Sequence, residues 1–224
     1  MSVRWLDDLV RKSALELEVA RKTVFQFGNS ISMALHKNPI QDWEADAWAR
    51  GLNAGLIRLE GYFFRVGSGK RSPLSFFVRN DKDVYVGLRR ESITQAATCV
   101  QLITDYGYPR SQVRFESRWM DVAVYGEDGK ALIYAENKAS QKTLEKLCTR
   151  LSTEFQGGVP PVNPEGKVVD DALMKAHHIR NNRPRYFWGV CPTVRSVWEV
   201  DFHAAGFRLR MVGALPAALE RADV

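Results

Sequence analysis

Asp128-Gly129 lies between two runs of strand-forming residues, Trp119 to Tyr125 and Ala131 to Lys138, and this pair limits the folding of the chain more than any other short feature. Asp-Gly in that setting predicts a β-hairpin, because a two-residue type I′ turn needs positive φ at both central positions. Placing the turn there sets a register in which Glu127 faces Lys130, Tyr125 faces Leu132, Ala123 faces Tyr134 and Asp121 faces Glu136. A slip of one residue would turn every side chain of the strand to the other face.

Directly opposed residues have Cβ atoms about 5 Å apart and leave the same face of the sheet. The register therefore makes Asp121 and Glu136 cross-strand neighbours, and strand alternation adds Lys138, two residues beyond Glu136, to their face. Adjacent carboxylates repel unless a cation or a shared proton compensates them. Mg²⁺ or Mn²⁺, which take hard oxygen ligands, are the expected occupants, with Lys138 orienting or activating an attacking water. A second reading is a solvated pair balanced by Lys138 and Arg118. Apolar neighbours on both faces favour a site: Val122, Val124, Ile133 and Ala135 on one, Tyr125, Leu132 and Tyr134 on the other. A sheet buried on both sides does not carry two acids without compensation. Trp119 falls opposite Lys138 in this register, placed to stack on a base or to pack.

Around this hairpin the hydrophobic period changes several times. Apolar residues recur at helical spacing from Trp5 to about His36, with a stop at Asn38-Pro39, and a second helix is expected from Asp42 to Asn53. Leu56 to Val66 and Leu74 to Arg79 read as the two strands of a hairpin joined by the loop Gly67 to Pro73. A helix from Glu91 to about Tyr106 ends at Gly107-Tyr108-Pro109. Strands follow at Val113 to Glu116, Trp119 to Tyr125 and Ala131 to Lys138, then a helix from Gln141 to about Phe155. Gly157 to Pro164 is a loop by composition. After a short helix ending near His178, Tyr186 to Val190, Val197 to Phe202 and Phe207 to Val212 read as closing strands. The expected division is a helical and hairpin extension over 1–87 and an α/β domain over 88–224.

A chain of 224 residues supports one well-buried core or a core with a helical appendage. No segment reaches the ~20 apolar residues that span a bilayer, so no membrane association is expected. Asp7 and Asp8 interrupt the apolar run that a secretory leader needs. Cys99, Cys148 and Cys191 are too widely spaced for a CxxC pair or an obvious disulfide framework, which points to a reducing cytoplasm.

The 32 Lys and Arg exceed the 26 Asp and Glu, for a net charge of +6 that favours polyanionic partners. The excess concentrates in the C-terminal third, where Arg180, Arg183 and Arg185 form a candidate phosphate-contacting loop, with a solvated basic turn as the other reading. Lys70 and Arg71 lie in Gly67-Ser68-Gly69-Lys70-Arg71-Ser72. That stretch is no P-loop, since GxxxxGK[ST] would need Gly at Phe64 and Ser or Thr at Arg71. It reads as a basic loop, either touching a nucleic-acid backbone or simply solvated. His177-His178 has no ligand framework around it.

Asp121, the intervening hairpin and Glu136-Asn137-Lys138 match the D…(D/E)xK signature of the PD-(D/E)XK nuclease superfamily. Arg89-Arg90-Glu91 through Gly107-Tyr108-Pro109, followed by Val113-Arg114-Phe115-Glu116, further resembles the N-terminal nuclease domain of type I restriction-enzyme R subunits. The likeness runs from Arg89 to about Phe155, less than a third of the chain. It implies an α/β restriction-endonuclease-like core, a mixed central sheet flanked by helices, preceded by the helical and β-hairpin extension. It also implies that Glu91 joins Asp121 and Glu136 in the metal site; a Glu favoured at a helix N-terminus by the dipole is the plainer account of that residue. The chain departs from the pattern in two respects: the segment between Glu116 and Asp121 is short, and the Gln common on the following helix has no clear counterpart in Gln141 or Gln156.

The expected activity is Mg²⁺- or Mn²⁺-dependent hydrolysis of phosphodiester bonds, with DNA preferred over RNA as substrate and restriction or defence as the setting. A double-strand break by one such site calls for a homodimer, successive nicking or a partner subunit. The competing expectation is a nucleic-acid-binding or assembly protein that keeps the fold and does not cut.

Overall fold

The structure, a computed structural model, describes residues 3–67, 73–117, 119–161 and 170–218. It is mixed α/β and separates into two compact units, Met1–Gln101 and Leu102–Val224. The division falls inside a helix, so that Glu91 belongs to the first unit.

The first unit begins with α1 (Arg4–Val19), α2 (Phe27–Lys37) and α3 (Asp42–Asn53). The single helix expected from Trp5 to His36 is thus two. Arg21 and Gln26 take left-handed backbone (φ +54° at each), which an α-helix cannot continue through. Between them the chain runs extended, and the backbone of Tyr85 bonds to Lys22 and Val24, an exchange that replaces the helical hydrogen bonds given up there. Periodicity alone does not register such a break. The expected hairpin is also differently wired. β1 (Ile57–Glu60) and β2 (Phe63–Val66) form a tight hairpin, β3 (Leu74–Ser75) adds to β2, and β4 (Phe77–Arg79) pairs with β5 (Tyr85–Leu88). Gly61, at φ +64°, supplies the early reversal.

Trp48, Phe64 and Phe76 pack at ring separations of 4.8 to 5.5 Å in the core of this unit. The Trp48 indole donates to the Ile93 carbonyl at 2.9 Å, which ties α3 to α4 (Arg90–Thr104). A buried ion pair lies alongside. Arg90 donates to both oxygens of Glu44, to Thr94 Oγ1 and to the carbonyls of Asn38 and Pro39. Glu44 Oε2 also accepts from the Gln41 amide, closing the N-terminal turn of α3.

The second unit is built on a six-stranded sheet in the order β11-β10-β9-β8-β7-β6. Its strands are β6 (Val113–Ser117), β7 (Met120–Tyr125), β8 (Ala131–Asn137), β9 (Tyr186–Val190), β10 (Arg195–Phe202) and β11 (Phe207–Val212). All pairs are antiparallel except β8 with β9. A parallel neighbour requires a crossover, and the chain between these strands carries α5 (Gln141–Thr153) and α6 (Asp171–Asn182). Their apolar stripes, Leu144, Leu147 and Leu151 on α5 and Ala172, Ala176 and Ile179 on α6, share a buried cluster with Ala123, Tyr134 and Phe187 of the sheet. Gly189 permits this approach: a Cβ there would meet Leu144 Cδ1 at 2.9 Å and Trp198 at 3.0 Å. Val122, Val124, Ile133 and Ala135 are fully buried on the other face.

The hairpin between β7 and β8 keeps the expected register where it matters and loses it at the turn. Val122 faces Ala135, Ala123 faces Tyr134 and Val124 faces Ile133, but Tyr125 faces Ala131. The reversal is a three-residue loop, Glu127-Asp128-Gly129, closed by Gly126 N–H to Lys130 O at 2.8 Å. Only Gly129 needs positive φ in this loop (+75°), so Asp128 is spared the left-handed conformation that a type I′ turn would impose. The expected pairs Glu127 with Lys130 and Tyr125 with Leu132 do not form. Leu132 is instead the extra residue of a bulge, which restores the frame beyond it.

Candidate active site

β7 and β8 carry the acids to their common end. Asp121 Oδ2 accepts from the Asn137 backbone amide at 2.6 Å, so the side chain of one strand is held by the backbone of the next. Glu136, with its side chain 1% exposed, accepts at Oε1 from Lys138 Nζ at 2.5 Å and is 3.1 Å from Lys175 Nζ. Its other oxygen, Oε2, is buried and has no hydrogen-bond partner among the described residues. Burial pushes the Glu136 carboxyl up to about 7, and Asp121 adds to the rise against the pull of Lys175 and Lys138.

Glu91 stands in the first turn of α4. It belongs to the first unit, whereas Asp121 and Glu136 belong to the second, where the Asp121 carboxylate acts on Glu136. A buried carboxylate oxygen with no partner among the described residues, beside a second carboxylate, is costly unless a cation or a proton completes it. Carboxylate oxygens are hard donors, the kind that a hard cation takes.

Lys138 follows β8 directly, and its backbone amide donates to Val190 O, holding it in line with β9. Its ammonium, 20% exposed, is 3.7 Å from Asp171 Oδ2 as well as bonded to Glu136. Beside it an open hollow of about 230 Å³ is bordered by Lys138, Thr143, Lys146, Arg150, Asp170 and Asp171. Arg150 is held there by Asp170, whose carboxyl that guanidinium draws down to about 2, and by Glu154.

Sequence reading overlooked Lys175 and Asp171. Lys175 lies on α6, almost wholly buried, with Nζ 2.8 Å from Asp171 Oδ1 and 3.1 Å from the Trp119 carbonyl. Burial by itself lowers this ammonium, but Glu136 and Asp171 outweigh it and the net direction is upward. The four-residue spacing of Asp171 and Lys175 was visible as a helical ion pair, yet nothing in it pointed to a partner on β8. The helix itself runs past the expected end at His178 to Asn182, with Arg183 as its left-handed cap.

The bend between β6 and β7 is tight, as the short segment there implied. Glu116 and Trp119 both have positive φ (+47° and +68°). Trp119 is 53% exposed and stands in the bend, outside the β7–β8 ladder in which it was expected to face Lys138. Glu116 is exposed.

Of the expected nucleic-acid contacts, Arg180, Arg183 and Arg185 are exposed at the end of α6 remote from Asp171. Arg183 lies 4.5 Å from the Phe202 ring centroid and Arg185 5.5 Å from that of Tyr186, while Arg180 donates weakly to Val159 O. Arg180 is about 8 Å of helix rise beyond Lys175, so the structure does not bring this group into the carboxylate cluster. Lys70 and Arg71 lie outside the described residues. Cys99, Cys148 and Cys191 are buried thiols, not joined in disulfides. No helix among the described residues is long and apolar enough to cross a membrane. No protein-family model, curated protein or solved structure matches this chain.

Proposed function

We propose that this chain is a metal-dependent nuclease with a restriction-endonuclease-like core, hydrolysing phosphodiester bonds of nucleic acid, with DNA the preferred substrate. The observation that carries the reading is the Glu136 carboxylate: Oε2 is buried with no partner among the described residues, under the influence of Asp121, with the Lys138 ammonium on Oε1. Asp121 and Glu136 would hold Mg²⁺ or Mn²⁺, and Glu91 is the further acid that the resemblance implies. When bound, such an ion lowers the pKa of water and offsets charge that builds on the phosphate oxygens.

The residues divide the remaining tasks. Asp121 is oriented by the Asn137 amide, so its direction is set before any ligand arrives. Lys138, partly exposed at the strand end, is placed to orient the attacking water or a phosphate oxygen. Arg180, Arg183 and Arg185 present exposed cations that suit a phosphate backbone passing beyond the site. The resemblance implies restriction or defence as the setting, the cysteine spacing points to a reducing cytoplasm, and double-strand cleavage by one such site calls for a homodimer, successive nicking or a partner subunit.

The test is incubation of the full chain with plasmid, linear duplex and single-stranded DNA, and with RNA, in Mg²⁺ or Mn²⁺, beside Asp121→Ala and Lys138→Ala. Divalent-dependent cleavage lost in both variants supports the reading. Binding without cleavage by any of the three proteins would favour an assembly protein, and equal cleavage by all would point to a contaminating nuclease.

A further inference from the structure

Lys138 is the lysine that the sequence motif supplies, but a second ammonium reaches the same oxygen. Lys175 Nζ meets three acceptors on three parts of the chain: Glu136 Oε1 on β8 at 3.1 Å, Asp171 Oδ1 on α6 at 2.8 Å and the Trp119 carbonyl before β7 at 3.1 Å. An ammonium has three donors, so Lys175 is saturated by the protein and has none left for a substrate. Its side chain is 5% exposed, against 20% for Lys138.

The third contact bears on Asp121. A bulky residue at φ +68° is sparsely populated and persists only where its surroundings hold it. Lys175 grips the Trp119 carbonyl, two residues ahead of Asp121, and so secures the entry of β7 as well as the acid of β8. One side chain thereby fixes the bases of both carboxylates.

We propose that Lys175 is a positioning residue of this site: it retains Glu136 Oε1 and the Trp119 bend throughout, leaving Oε2 to face the cation and Lys138 to turn to the substrate. This rests on the metal-dependent nuclease reading above. It separates two lysines that share one carboxylate oxygen into a fixed one and a working one, and only the working one belongs to the motif.

Lysine-selective ¹⁵N NMR of the full chain tests it without reference to activity, with Lys175→Arg and Lys138→Arg assigning the two ammonium signals. The expected result is a Lys175 ammonium protected from exchange and unmoved by Mg²⁺, with a Lys138 signal that shifts. A Lys175 signal that exchanges like a surface lysine, or that shifts with Mg²⁺ as far as Lys138 does, overturns the proposal. If Mg²⁺ moves neither signal, the metal site itself fails and the proposal falls with it.

In cleavage assays Lys175→Gln is expected to lower kcat about 10- to 100-fold with substrate affinity unchanged, and Lys175→Arg to recover most of the loss. Wild-type kcat in Lys175→Gln overturns the positioning role while leaving the nuclease reading intact. Should Lys175→Gln not fold, Asp171→Asn at its exposed position weakens one of the three acceptors. The Lys175 ammonium is then expected to exchange faster, and unchanged exchange counts against the proposal.

Discussion

The backbone amide of Asn137 donates to Asp121 Oδ2 at 2.6 Å, joining the two acid-bearing strands one step past their last ladder pair, Val122 with Ala135. The carboxylate is thus both a structural acceptor and a candidate ligand. These roles separate by substitution, because the first needs an oxygen and the second needs charge.

Asp121→Asn keeps an oxygen for the Asn137 amide and is expected to leave stability within about 0.5 kcal/mol of wild type. Cleavage is expected to fall by roughly 100-fold or more, the scale of losing a preorganised electrostatic group. Asp121→Ala removes the acceptor too and is expected to cost about 1–3 kcal/mol in addition. Urea melts and initial rates on the two variants measure this. Full activity in Asp121→Asn would remove Asp121 from the site.

Metal-free protein is expected to lose stability as pH rises from about 4.5 to about 7. Glu136 titrates near 7 in the folded chain, raised by burial and Asp121, and near its ordinary value when unfolded. Between those values the folded state binds more protons, so the slope of stability with pH is negative. Its contribution is complete below the unfolded pKa and spent once pH passes the folded one. Glu136→Gln is expected to flatten this part of the profile. Thermal melts in chelator across pH 4 to 8 read it directly, and superimposable profiles for the two proteins would refute the assignment.

Cys148 is pushed up to about 12, chiefly by burial and further by Glu136. Thiolate is the reactive form, so folded protein at pH 7.5 is expected to leave Cys148 unmodified by iodoacetamide and to label it only on denaturation. Mass spectrometry of the labelled peptides checks this. Rapid labelling of Cys148 in the native chain would show that α5 opens away from the sheet.

In the first unit, Glu44→Ala is expected to destabilise by about 3–5 kcal/mol, because it leaves the buried Arg90 guanidinium without its carboxylate. A loss below about 1 kcal/mol in urea melts would mean that water reaches Arg90.

Much of the fold was legible where one local signal dominated. The helix from Glu91, the helix from Gln141 and the strands at Tyr186 and Phe207 each combined a clean period with a clear boundary, and the structure has all four. The register of the ladder next to the acids, Ala123 with Tyr134, was legible for a subtler reason. The Asp128-Gly129 turn was read one residue too short, and the bulge at Leu132 returned the frame, so two local departures cancelled. The break between α1 and α2 was hidden because its backbone partner, Tyr85, lies some sixty residues away in a strand of four residues, too short to stand out.

The sequence by itself determined the hairpin, the shared face of its two acids and the lysine next to them, since alternation along a strand is a property of the backbone. Only the tertiary structure decided that Glu136 is buried with one oxygen lacking a partner among the described residues, and that Lys175 arrives from α6 to hold the other. A residue's burial and its distant partners depend on how elements pack, and packing brings together positions that no local period connects. The Asp121–Glu136 pair is therefore written in the chain, whereas the lysine that anchors it is visible only in the fold.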